Sequence, residues 1–212
     1  MNIVSRTAPA QACRFGNNRL RWWLVTCLVC GLPLAARAHV EGHEAEGFVS
    51  GFTHPLSGLD HMLAMLAVGL WGAQLGGRAM WMLPVMFPLV MACGGFLGLI
   101  GVPLPGIEIG IALSAVILGG LVLAETRPPL WLSAVLVSAF GVFHGHAHGA
   151  ELPAGGNAAL YSVGFVISTG LLHAVGIALG LVHRWPAGKI ALRASGAVVC
   201  LGGCFFLWNA IA

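Results

Sequence analysis

Charge is what this 212-residue sequence has least of: 8% of its residues are Asp, Glu, Lys or Arg, and 58% are hydrophobic. A soluble domain carries about 25% charged residues. A chain this poor in them cannot cover a water-facing surface, and lipid is its expected solvent. The length leaves room for one membrane domain and for no sizeable soluble one. Basic charge is scarcer still once its position is considered. Arg6, Arg14, Arg19, Arg21 and Arg37 fall within the first 38 residues, where there is no acid. From residue 39 onward the remaining basic residues are outnumbered by acids, so the net charge of +3 belongs to the leading segment. Nucleic acid is therefore not an expected partner. No Walker A sequence is present, so ATP is not an evident energy source, and no HExxH is present to support an intramembrane zinc protease. The cysteines form no zinc or disulfide framework. Cys13, Cys27 and Cys30 lie in the leading segment, while Cys93, Cys200 and Cys204 sit in apolar runs as small packing residues. There is no convincing internal repeat.

What is present begins with a three-part leader: a basic region ending at Arg19 and Arg21, an apolar run from Trp22 to Leu34, and Ala36-Arg37-Ala38. The last is an A-x-A cleavage site, and the run is short for a span. Residues 1–38 read as a cleavable signal peptide and 39–212 as the mature domain, with an uncleaved first helix as the alternative. Apolar runs then predict helices near 55–75, 79–101, 107–124, 130–148, 157–182 and 194–212, separated by Gly76-Gly77, Pro103-Leu104-Pro105-Gly106, Pro128-Pro129, Pro153 with Gly155-Gly156, and Pro186 with Gly188. The expected fold class is all-α, a polytopic membrane helix bundle of about six transmembrane helices. Gly94-Gly98 and Gly176-Gly180 have the spacing of close helix contacts.

Cleavage puts His39 outside the cytoplasm, and six spans return the C-terminus there. Arg78, Arg127, Arg184, Lys189 and Arg193, every basic residue of the mature chain, then fall in the inner connections. That is the positive-inside pattern. A bacterial inner membrane with both mature termini in the periplasm is the expected location.

Polar residues collect on the opposite, outer side. The mature N-terminus reads His39-Val40-Glu41-Gly42-His43-Glu44-Ala45-Glu46. His54-Pro55-Leu56-Ser57-Gly58-Leu59-Asp60-His61 opens the first span, and Phe143-His144-Gly145-His146-Ala147-His148-Gly149-Ala150-Glu151 closes the fourth, with Glu108 on the same side. Of nine histidines only His173 and His183 lie elsewhere. On one helix, residues seven apart differ by about 20° in direction, so His54 and His61 are expected on one face with Asp60 beside them. Pro55 suits a first helical turn. His144 and His148, four apart, also share a face. Imidazole with carboxylate and no thiolate suits Ni(II), Co(II), Zn(II) or Cu(II). Asp60 and His61 lead, since a carboxylate within a span needs a partner, and His54, His144 and His148 follow. His146 is expected in the loop, and His39 and His43 as a flexible collector. His173 is either ligand, proton carrier or core histidine, and His183 is an ordinary inner residue. Met62, Met65, Met86 and Met91 are expected to be packing residues.

The run from His54 to His61 resembles the HPxxGxDH motif of the HupE/UreJ family of nickel permeases, and Phe143 to Glu151 is similar to that family's second His-rich motif. Gly164-Phe165 through Leu172-His173 and Gly176 resembles its fifth-helix region. The resemblance implies a secondary permease, not an enzyme, that imports nickel(II), with cobalt(II) as the alternative, for hydrogenase or urease maturation. It implies metal roles for His54, Asp60, His61, His144, His148 and Glu151. From their positions alone, His39, His43, His146 and His173 are further metal candidates. The resemblance implies no prosthetic group. The expected partners are the bilayer and the metal ion, and oligomeric state is not legible. Two other readings stay open: a membrane haem or metal oxidoreductase using His173 with a second transmembrane histidine, and a metal-binding sensor or accessory protein that does not transport.

Overall fold

The computed structural model describes residues 47–151 and 157–212. The expected leader, the expected collector histidines His39 and His43, and the break at Pro153 with Gly155-Gly156 lie outside the described residues. Every regular element described is helical: α1 Gly47–Ser57, α2 Leu59–Leu75, α3 Ala79–Leu99, α4 Ile107–Leu123, α5 Leu130–Ala150, α6 Ala158–Gly180, a 3₁₀ turn Leu181–Arg184, and α7 Pro186–Ile211. α3, α5, α6 with its 3₁₀ turn, and α7 are long and apolar enough to cross a membrane. The α1–α2 pair is one more if counted as a single bent span, and α4 is apolar but only 17 residues long. The chain is a polytopic membrane helix bundle.

Two boundaries differ from the sequence expectation. The first segment is not one helix from residue 55: it starts at Gly47, breaks at Gly58 and bends by 81°. Pro55 sits near the end of α1 and not in a first turn. The last helix starts at Pro186, well before residue 194, because a proline at the first helical position loses no intrahelical bond. Proline and glycine there open a helix; they do not merely interrupt one.

Polarity is arranged inside out. α2 is the central helix, with Ala64, Met65 and every residue from Ala67 to Gln74 buried. The buried set also includes His144, His146, His148, Ser168, Thr169 and His173, whereas Trp81, Leu89, Phe96, Val135, Leu201 and Phe205 are well exposed. Surface apolar side chains on this scale require a lipid neighbour.

Glycines set the helix spacing. Gly94 and Gly98 of α3 lie against the Val142 and His146 carbonyls of α5, and Gly145 and Gly149 of α5 against the Met91 and Gly95 carbonyls of α3. Any Cβ at these four positions would collide with backbone. Gly69 and Gly176 bring α2 and α6 together in the same way, and Gly119 and Gly196 join α4 to α7. At one end of the bundle, cross-helix bonds tie the turns: Trp71 Nε1–H donates to the Thr126 carbonyl (3.2 Å), Gln74 Nε2–H to Val122 (3.1 Å) and Arg193 Nε–H to Leu123 (3.1 Å). At the other end sit α1, the turn after α3, Glu151 and the C-terminus.

Candidate metal centre

The bend at Gly58 builds the first half of the site. Gly58 is extended (φ −91°, ψ 106°), and a Cβ there would stand 3.2 Å from both Asp60 Oδ1 and His61 Nδ1. Glycine leaves the room in which these two side chains meet. Asp60 lies in the first turn of α2, where a carboxylate is favoured by the helix dipole. Its Oδ1 accepts from the His61 backbone N–H (2.8 Å) and from His61 Nδ1–H (2.9 Å). The proton of His61 is thereby held on Nδ1, and the Nε2 lone pair is free, buried and without a protein partner. A carboxylate behind an imidazole is the usual support of a metal-binding histidine.

α5 supplies the second half. Gly141, Gly145 and Gly149 turn toward α3, which sets His144 and His148 on another face, one turn apart and buried. Ser114 of α4 donates its one hydroxyl hydrogen to the Ile111 carbonyl (2.6 Å), so at 2.9 Å from His144 Nε2 it accepts from Nε2–H. This leaves the Nδ1 lone pair of His144 free and unpartnered, and both ring nitrogens of His148 are unpartnered as well. Ring centroids are 4.4 Å apart for His61 and His148, 4.8 Å for His61 and His144, and 4.8 Å for His54 and His148. His54 Nε2 lies 3.5 Å from Glu151 Oε2, and ligand atoms of His54, His148 and Glu151 all fall within 4.8 Å of one another. His148 thus belongs to two groups, an exposed one with His54 and Glu151 and a deeper one with His61 and His144. The hydrogen bond from His54 holds the Glu151 carboxyl below its ordinary value.

The six leading candidates therefore converge, but not by the route the spacing indicates. His54 and His61 do not share a helix face, because the chain bends between them; they reach His148 from two helices. His146 is not in a loop. It lies within α5 with its ring turned away, Nε2–H donating to the Val102 carbonyl at 2.6 Å, where it anchors the turn after α3. His173 is buried on the far side of Phe87, whose ring centroid is 5.3 Å from that of His144 and 5.5 Å from that of His173. His39 and His43 lie outside the described residues. His183 bonds the Gly180 carbonyl one turn back (2.8 Å).

Sequence reasoning missed Ser114, which sets the His144 tautomer, and the ring walls formed by Tyr161 and Phe165. Phe165 lies 4.4 Å from His148, and Tyr161 5.9 Å from His54. Ser114 did leave a signal: it is the one hydroxyl in the apolar run of α4. Above the cluster lies a cavity of about 390 Å³ lined by Asp60, His61, Glu108, Glu151 and Asn209 among others. At about 30 Å³ per water it has room for a hydrated cation, and its three carboxylates favour one.

Residues 27–206 match the family model described as HupE / UreJ protein. The chain is 45% identical over 182 residues to "Protein HupE" of Rhizobium leguminosarum bv. viciae, covering 86% of this chain and 95% of that protein. No solved structure matches.

Proposed function

The chain belongs to the HupE/UreJ family, and on that premise we propose that it is a secondary permease carrying a divalent transition-metal ion inward from the periplasm. Nickel(II) is the favoured substrate and cobalt(II) the alternative, with hydrogenase or urease maturation as the destination. The observation that carries the reading is the set of imidazole lone pairs on His61 Nε2, His144 Nδ1 and His148. They are buried and aimed at no protein group, and His61 lines a cavity that also holds the Asp60, Glu108 and Glu151 carboxylates.

The chemistry follows from those positions. A hydrated ion enters among Asp60, Glu108 and Glu151, whose charges offset its own. His54, His148 and Glu151 replace its first waters, and His61 and His144 replace others deeper in the bundle. A dication is never left bare in an apolar interior, where its desolvation would be prohibitive. Asp60 and Ser114 keep the two deep imidazoles in the tautomers that can accept it, so no proton has to move before binding. The positive-inside distribution supports the inward orientation, with six membrane segments and the collector histidines His39 and His43 in the periplasm. Phe87 stands between the two deepest histidines, and nothing in that arrangement favours the haem oxidoreductase.

Reconstituted full-length protein supplied in parallel with Ni(II), Co(II), Zn(II) and Cu(II) tests the proposal. Accumulation of nickel or cobalt above protein-free vesicles is the expected result. Tight binding without accumulation of any of the four would mean a sensor or accessory protein instead.

A further inference from the structure

Beyond the cluster, α6 carries an unusual set of polar atoms. Ser168 Oγ, Thr169 Oγ1 and His173 Nε2 are all buried and all lack a hydrogen-bond partner. Several other helical hydroxyls of this chain bond the carbonyl one turn back, as Thr53 does to Val49 (2.9 Å), Ser162 to Ala158 (2.8 Å) and Ser195 to Ala191 (3.0 Å). Ser168 and Thr169 do not. Unpartnered buried polar atoms are rare and unfavourable, and three within six residues of one helix require a reason.

The His173 ring is oriented by a proline. Pro88 has no N–H, so the Pro84 carbonyl one turn earlier in α3 is without its helical donor. His173 Nδ1–H donates to that carbonyl at 3.1 Å, which leaves the Nε2 lone pair free. Tyr161, Phe165, Thr169 and His173 follow at four-residue steps, all buried along one side of α6. The first two of them wall the His54 and His148 rings. The same side of the helix therefore runs from the outer cluster to His173.

The geometry points to a second, inner cation station made by His173 Nε2 with the Thr169 and Ser168 hydroxyls, which receives the divalent metal ion after it leaves the imidazole cluster. It rests on the transport reading above. The Phe87 ring separates the two stations. One imidazole and two neutral hydroxyls are a poorer donor set than imidazoles backed by Asp60 and Glu151, so the inner station holds the ion weakly. Weak binding is what lets an ion that has entered continue inward.

The test pairs two measurements on the full chain, equilibrium binding of radioactive nickel(II) in detergent and nickel(II) uptake by proteoliposomes. His173→Asn keeps an amide N–H near the Nδ1 position for the Pro84 carbonyl and removes the Nε2 lone pair. It is expected to bind nickel(II) within about twofold of the unmodified chain, while its maximal uptake falls about tenfold and is not restored by more external metal. Thr169→Val, similar in size and lacking the hydroxyl, should lower maximal uptake in the same direction. His61→Ala should instead lose binding itself. Uptake by His173→Asn equal to that of the unmodified chain would overturn the inner station and leave the outer site and the transport function standing. Loss of nickel binding in folded His173→Asn would also overturn it, since the residue would then belong to the outer site. An unmodified chain that binds but never accumulates nickel would overturn the transport reading first.

Discussion

Single side chains decide whether this site can accept a metal. Asp60→Asn keeps the size of the residue but removes both the charge facing the ion and the acceptor that fixes His61. His61→Ala removes the ligand directly. Each is expected to cut nickel uptake by about 10- to 100-fold at matched membrane expression, and His183→Ala, which bonds only its own helix turn, to leave it unchanged. Uptake rates of the three variants side by side check this. Glu151 gives a pH-dependent case. Its carboxyl is held below the ordinary value by His54, so whatever the pair adds to stability is present above the unfolded value and lost as pH falls through the lowered one. Glu151 is well exposed, and solvent screening keeps that contribution small. Across the range where imidazoles ordinarily titrate, Glu151 stays charged. Glu151→Gln is therefore expected to weaken nickel binding near neutral pH, as binding titrations at pH 7 would read. The identity of these residues was legible in the sequence. The convergence of His54 with His61 was not, because the seven-residue spacing assumes a straight helix and Gly58 ends it.

At the scale of the helices, glycine does the positioning. Gly145→Ala would press a methyl group into the Met91 carbonyl and force α3 from α5, at a cost of about 1–3 kcal/mol. Gly170→Ala meets nothing within 4 Å and should be neutral or slightly stabilising. Thermal unfolding of the two variants in detergent is expected to show a clear drop for the first and none for the second. The sequence announced Gly94 with Gly98 and Gly176 with Gly180 as contact pairs, and all four do meet neighbouring helices. Gly141, Gly145 and Gly149, which interleave with His144 and His148, escaped notice because the histidines between them read as a ligand motif. The two roles share a helix without conflict, since the glycines face α3 and the histidines face α1, α2 and α4.

For the whole molecule, the inverted polarity of surface and core makes lipid the solvent, and the charge distribution makes orientation testable. A reporter active only in the periplasm should work when fused after Glu151 or Ala212 and fail after Arg78 or Arg127. The mature chain should begin at His39 on N-terminal sequencing; retention of Trp22 and Trp23 would mean an additional leading segment. Composition and the order of apolar runs were enough to determine that this is an all-helical membrane protein, where its spans lie to within a few residues in most cases, and which segments carry imidazole and carboxylate donors. These are local properties, set by each segment's own preference for lipid or water and each side chain's own chemistry. Tertiary structure alone decided which ring nitrogens are free. That depends on partners from distant parts of the chain: Ser114 for His144, Val102 for His146, and the Pro84 carbonyl for His173. Histidines that leave Nδ1 open and histidines that leave Nε2 open look the same in a sequence, because the difference lies in the atom packed against the other nitrogen.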